Sequence, residues 1–198
     1  MRLIGLDIDG VICDFPTGLH ERCRLLGLNT PDTIEEFLAH AFDGAGHYRS
    51  HEVWPEAWES VLNDEAFWAG LPPYPGAAEQ LRGINLDFYL TARPCSNQTT
   101  MGWIKKHGFP NVRSYTIAPR TSKLKVIQTR QEVAQAITPS GKKNVTVTFV
   151  EDHLPTVLEL ANAGVDCYLL SRPWNVTSNP FPYGVKRIER LSEIIERT

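Results

Sequence analysis

The sequence predicts an α/β fold, a doubly wound parallel sheet flanked by helices, with a small helical unit inserted after the first strand. Three observations lead there. An apolar strand ends in carboxylates in LIGLDIDGVICDF, residues 3–15. Residues 17–70 then carry helical patterns and no convincing strand, and from Gly76 onward helices and strands alternate regularly. Strands separated by helices of that length form parallel βαβ units, because a parallel pair needs a crossover of about a dozen residues or more.

In the opening strand, Leu6 and Ile8 alternate with Asp7 and Asp9, which sends the two acids to one side and Ile8 to the core. GLHERCRLLG (18–27), PDTIEEFLAHAF (31–42) and PEAWESVLNDEAFWAG (55–70) read as short amphipathic helices, with Thr30 and Asp32 as starts and Gly27 and Gly70 as stops. LPPYPG (71–76), with its three prolines, is the rigid return from the insert. The boundaries are therefore a core of 1–15 and 72–198 and a helical cap of 16–71. Helix AAEQLRGI, strand LDFYLTA, helix NQTTMGWIKKHG and strand VRSYTIA follow. Helix SKLKVIQTRQEVAQAI, strand NVTVTFVED, helix LPTVLELANAG and strand VDCYLL continue the alternation, and RIERLSEIIER (187–197) closes as a helix.

Composition narrows the class. The 198 residues suffice for one full domain and a modest insert. An apolar fraction of 42% with 22% charged residues is that of an ordinary soluble globular protein. A net charge of −3 provides no basic surface for duplex nucleic acid, and Lys123/Lys125 and Lys142/Lys143 are too short to form a stripe. Cys13, Cys23, Cys95 and Cys167 lack CxxC spacing and read as reduced thiols. The start of the chain fits neither a signal peptide nor a membrane span, so a cytoplasmic location is expected.

Open α/β sheets bind ligands at the carboxyl edge of their strands. Four strand ends or helix starts along that edge carry reactive groups: Asp7, Asp9 and Gly10; Thr91, Ala92 and Arg93; Lys123; Glu151 and Asp152. Two carboxylates held about 4 Å apart repel by about 4 kcal/mol at an effective dielectric near 20, so a cation is the missing party. A phosphate monoester requires a nucleophile, an acid for the leaving oxygen, cations for its charge and donors for its oxygens, and these residues supply each. Arg93 offers a phosphate clamp. Both Lys123 and Lys125 lie at a helix start where only one can face the site, and Lys123 is chosen. His153, beside the acidic pair, suits pocket lining and helix capping equally.

This order of motifs resembles that of the haloacid dehalogenase (HAD) superfamily, aspartate-nucleophile phosphatases with a modified Rossmann sheet. The resemblance spans essentially the whole chain. It implies that Asp7 attacks phosphorus and Asp9 acts as acid and then base. Thr91 resembles the hydroxyl residue of the second motif, Lys123 the lysine of the third, and Glu151 with Asp152 the acidic pair of the fourth. It further implies Mg²⁺ held by Asp7, the carbonyl of Asp9 and Asp152, with Glu151 in support. A hard cation with oxygen ligands agrees with that set.

The insert is rich in aromatic residues, with Phe15 at its entrance and Phe37, Phe42, Tyr48, Trp54, Trp58, Phe67 and Trp68 beyond. Most are expected in the core, and some could stack on a base. DIDGVICDF, AWES and LPPYPGA are similar to stretches of the 5'(3')-deoxyribonucleotidases and related bacterial nucleotidases, which implies a base pocket lined by Phe15 and Trp58. Two departures stand out: LTARP replaces a Thr-Ser-Pro, and VED replaces a double aspartate. The expected substrate is a nucleoside monophosphate, with a sugar phosphate or a polynucleotide 3'-phosphate as alternatives. A non-catalytic nucleotide-binding module is the reading from another class.

Overall fold

The computed structural model describes residues 1–42, 49–119, 121–138, 144–176, 181 and 184–196. Tyr48, Lys142 and Lys143 lie outside the described residues. Six parallel strands form one sheet in the order β3-β2-β1-β4-β5-β6: β1 Arg2–Leu6, β2 Phe88–Thr91, β3 Arg113–Thr116, β4 Thr146–Glu151, β5 Asp166–Leu170 and β6 Val185–Ile188. β1 lies between β2 and β4, so the sheet reverses its winding direction there and the carboxyl ends of these three strands share one crevice.

Alternation along the strands supplies two separate cores. Ile4, Leu6 and Tyr89 face one side, where α7 (Asn97–Lys106) contributes Trp103 and Ile104. Leu3, Phe88, Leu90 and Phe149 face the other, where α8 (Leu124–Ile137) contributes Ile127 and α9 (Leu154–Asn162) contributes Val157 and Leu160. Gly5 sits between the two phenylalanines; a Cβ there would come within 2.4 Å of Phe88 and 2.8 Å of Phe149.

The segment after β1 is helical: α1 Phe15–Leu25, α2 Ile34–Ala41, α3 Ser50–Val53, α4 Pro55–Val61 and α5 Glu65–Gly70. Its entry and exit run side by side, since the Asp14 amide donates to the Pro72 carbonyl and the Tyr74 amide to the Ile12 carbonyl, both at 2.9 Å. α1 begins before the expected start because Asp14 accepts from the Thr17 amide and Pro16 preorganises the first turn. Thr33, one residue beyond the expected Asp32, caps α2. The stretch read as one helix over 55–70 is two: Asn63 adopts φ 65°, a left-handed conformation asparagine tolerates, and Asp64 caps α5 through the Phe67 amide at 2.9 Å. The insert shares its hydrophobic core with one face of the sheet, with Phe37, Trp54 and Trp68 continuous with Leu6 and Ile8.

After the insert, the short α6 (Ala77–Gln80) leads to β2. The C-terminus departs from expectation. Residues 185–188 form β6 on the open edge of β5, and only Glu193–Glu196 are helical, as α10. Pairing with an available strand edge overrides local helix preference there. The four cysteines carry free thiols. Among the described residues no helix is long and apolar enough to cross a membrane.

Candidate active site

β1 ends at Leu6, and Asp7 continues its ladder by one bond, donating its amide to the Val150 carbonyl at 2.9 Å. The chain then turns at Gly10, with φ 78°. Both that conformation and the crowding require glycine, because a Cβ would stand 2.1 Å from Asp152 Oδ2. This turn sends the two acids of the D-x-D motif to different partners.

Asp7 joins Glu151 and Asp152 from the end of β4. Carboxylate oxygens of all three lie within 4.8 Å of one another, and all three residues are buried. Lys123, just before α8, is the cation in their midst: Nζ donates to Glu151 Oε2 at 2.7 Å and lies 2.8 Å from Asp7 Oδ1. The Asp7 contact is an ion pair with the buried Oδ1, so a single ammonium serves both carboxylates. Burial would lower the Lys123 ammonium, but Asp7 and Glu151 outweigh it and hold the amine firmly charged. Lys125 points to solvent, so the structure brings Lys123, and not its neighbour, to the site.

One ammonium does not compensate three carboxylates. Burial, reinforced by Glu151, pushes the Asp7 carboxyl well above the ordinary range. The same two causes push Asp152 up to about 8. Burial acts on Glu151 in the same direction, yet the Lys123 ion pair and hydrogen bond overcome it and hold Glu151 low. Glu151 is also saturated with donors: Oε1 accepts from the Asp152 and His153 amides, both at 3.2 Å, while Oε2 takes Lys123. A divalent oxygen-seeking cation fits this arrangement. Asp7 and Asp152, the two acids whose charged forms lack sufficient compensation, would hold it, with Glu151 anchoring the lysine.

Asp9 lies in a different environment. Arg93 Nε donates to Asp9 Oδ1 and Oδ2 at 2.9 and 3.0 Å, and Nη2 donates to Oδ1 at 2.7 Å. Thr91 Oγ1 contacts Asp9 Oδ2 at 3.4 Å and accepts the Arg93 amide at 3.3 Å. The Arg93 side chain is fully buried between two indoles, with its guanidinium carbon 4.9 Å from the Trp103 ring centre and 5.7 Å from that of Trp68. Arg93, expected on the phosphate, instead places its fork on Asp9. Its Nη1 is buried without a partner. Ala92 is half-buried at the same strand end.

A cavity of about 330 Å³ opens over these groups, lined by Asp7, Asp9, Ala92, Lys123 and Asp152 at its floor. That volume lies at the small end of the range of about 300–1,000 Å³ typical of ligand clefts. The insert supplies Phe15, Phe42, His51, Trp58 and Trp68 as its apolar wall, and Thr121, Ser122 and Thr156 line the polar side. Phe15 stacks on Trp68 at 5.2 Å and 4°, and its edge meets Trp58 at 6.2 Å and 89°. Trp68 is almost wholly buried by this packing, so of the two indoles in the wall the half-buried Trp58 is the more accessible. His153 lines the cavity; it occupies the N-cap position of α9, but its side chain makes no cap bond to the helix backbone, and its Nδ1 lies 2.8 Å from Thr156 Oγ1.

Sequence reasoning missed a third group, on the 3-10 turn Pro173–Asn175 after β5. Arg172 donates through Nε to the Gly10 carbonyl at 2.6 Å and through Nη2 to the Val11 carbonyl at 2.9 Å, and stacks on Tyr74 at 4.0 Å. Trp174 Nε1 donates to Asp152 Oδ2 at 2.9 Å. The dense cluster SRPWN after the fifth strand was the available signal, because it lies at the carboxyl edge like the other four.

Comparison with known proteins agrees with this fold. No protein-family model and no curated sequence matches the chain. Solved structures do. A haloacid dehalogenase-like hydrolase from Streptococcus pneumoniae superposes with a TM-score of 0.61 at 16% identity, over 98% of this chain and 97% of that one. A HAD-superfamily hydrolase of subfamily IA from Geobacter sulfurreducens covers 100% of both chains, with a TM-score of 0.59 at 17% identity. A HAD hydrolase from Bacillus subtilis, bound to magnesium, gives 0.58 at 15% identity over 99% and 97% of the two chains. Dehalogenases are also among the neighbours. The chain therefore has the HAD-like Rossmann fold. At these identities the likeness concerns architecture, and function rests on the site.

Proposed function

We propose that this protein is a Mg²⁺-dependent phosphomonoester hydrolase acting through an aspartyl-phosphate on Asp7, with a nucleoside monophosphate as substrate. The observation that carries the reading is the division of labour between the two acids. Asp7 sits beside Lys123 in an under-compensated carboxylate cluster, and Asp9 is held apart on a guanidinium at the cavity floor. When bound, Mg²⁺ would neutralise charge on the phosphoryl oxygens and keep Asp7 ionised.

The chain's own groups supply the rest. Lys123 lies within ion-pair distance of Asp7 and stabilises both the carboxylate and an incoming phosphate dianion. An Asp7 oxygen attacks phosphorus and the ester oxygen leaves with a proton from Asp9; water then attacks the acyl phosphate with Asp9 as base, releasing inorganic phosphate. Asp9 must carry a proton for the first step, so it has to turn away from Arg93, and the bidentate pair is the resting position of that acid. The helical insert acts as the cap that shields this chemistry, with Phe15 and Trp58 supporting a base pocket.

The dehalogenase neighbours supply a second reading, in which Asp7 attacks carbon. A halide departs without a proton and needs no cation beside the nucleophile. Asp9 on its guanidinium and the Asp7/Glu151/Asp152 cluster therefore favour a phosphoester. The deciding experiment is inorganic phosphate release, with and without Mg²⁺, over ribo- and deoxyribonucleoside monophosphates, sugar phosphates and a 3'-phosphorylated oligonucleotide, beside halide release from 2-haloacids. Mg²⁺-dependent turnover favouring deoxynucleotides supports the nucleotidase reading, and turnover confined to sugar phosphates replaces its substrate. Halide release without Mg²⁺ overturns it, and binding of nucleotides without any turnover makes the protein a binding module.

A further inference from the structure

We propose that Trp174 is a positioning residue that aims the Asp152 carboxylate at the cation site and ties that carboxylate to the helical insert. The proposal rests on the reading of Asp7 and Asp152 as cation ligands. Trp174 is buried and has two distinct contacts, one through its N–H and one through its ring face. Nε1 donates to Asp152 Oδ2 at 2.9 Å, which fixes the rotation of that carboxylate. The ring stacks on Phe42, immediately after α2, with centres 4.9 Å apart and planes 6° from parallel.

The turn that carries Trp174 is itself immobilised. Asn175 Nδ2 donates to the Asp152 carbonyl at 2.7 Å and to the Leu170 carbonyl at 2.8 Å, so Asp152 is held by its backbone as well as its side chain. Arg187 Nη1 donates to Asn175 Oδ1 at 2.9 Å, which orients the amide. Held this way, the indole is a rigid link between the β5 turn, the acidic end of β4 and the insert. Tryptophan suits the position because it combines a single N–H donor with a large flat face. Phenylalanine would retain the face and lose the donor, so the two contacts can be separated experimentally. Partners that orient metal-ligating carboxylates typically change metal affinity by about 10- to 100-fold when removed.

The test is Mn²⁺ binding to the full-length protein, read from the electron paramagnetic resonance signal of free Mn²⁺ and independent of turnover. Circular dichroism and thermal melting verify the fold of each variant, and Asp152→Asn sets the floor. Trp174→Phe is expected to bind Mn²⁺ about 10- to 100-fold more weakly. Trp174→His, which returns a ring N–H, is expected to recover part of that loss. Phe42→Leu, which removes the stacking partner and leaves the indole donor, is expected to weaken binding by a smaller factor. Wild-type affinity in folded Trp174→Phe overturns the positioning role, as does an equal loss in the Phe and His variants, which would make the effect one of packing. Wild-type affinity in Phe42→Leu overturns the tie to the insert. Absence of Mn²⁺ binding by the wild-type protein, with Asp152→Asn identical to it, overturns the cation reading and the proposal together.

Discussion

Asp7 and Asp9 are two residues apart, yet their surroundings are opposites. Asp9 has a dedicated guanidinium with both of its oxygens engaged, and the pair is electrically complete within the protein. Asp7 has one ammonium, shared with Glu151, and a second buried acid beside it in Asp152. On the proposed reading, the difference separates the acid that waits from the acid that reacts. Neutrality is built in where a group must wait, and left open where a cation and a substrate are to bind.

Breaking the Asp7 side should have the largest effect. Asp7→Asn removes the attacking oxygen's charge, and phosphate release is expected to fall to background, with no acyl-phosphate trapped in rapid quench. Asp9→Asn loses proton transfer, a fall of about 10²- to 10⁴-fold in kcat, and also leaves the buried Arg93 without its counter-charge. Equal loss in both variants would erase the distinction. Arg93→Met should lower kcat by about tenfold with little change in KM, because Asp9 loses its resting partner while Lys123 keeps the phosphate. It should also destabilise the fold, though by less than the ~3–5 kcal/mol of a fully buried pair, since the Asp9 side chain is 22% exposed.

Trp58→Ala addresses the pocket. If its exposed face stacks on a base, KM for nucleotides should rise by the equivalent of about 1–3 kcal/mol, with sugar phosphates unaffected. The remaining test, which needs no variant, is stability against pH. Asp152 has a folded-state value raised to about 8, so the metal-free protein is favoured by the protonated form. That contribution is fully present below the unfolded value near 4 and is lost as pH rises towards 8. Mg²⁺ competes with that proton, so its increment in Tm should grow between about pH 5 and 8. A constant increment across that window would mean that Asp152 is not a ligand.

Much of the site was legible because its groups lie where apolar strands stop. Asp7, Thr91, Lys123 and Asp152 each end or follow an alternating run, and a parallel sheet gathers such ends on one edge. The destinations of the side chains were less legible. That Arg93 turns to Asp9 depends on Trp68 and Trp103 flanking it, one from the insert and one from α7, a juxtaposition that no local pattern encodes. Trp174 and Arg172 were hidden for a related reason. The β5 strand carries no acid at its end, and the turn after it acquires meaning only beside Asp152 and Gly10. The C-terminal error is of the same kind, since VKRI becomes a strand only because the β5 edge is there to receive it.

The strand order has a consequence for how the molecule comes to exist. β1, first in the sequence, hydrogen-bonds to strands that begin at Phe88 and Thr146, so its acidic end has no lasting neighbours until most of the chain is present. Contacts of such long sequence separation form slowly. During synthesis Asp7 therefore waits for Lys123, Glu151 and finally the turn at Trp174, so the acidic site can be completed only when nearly all of the chain has emerged.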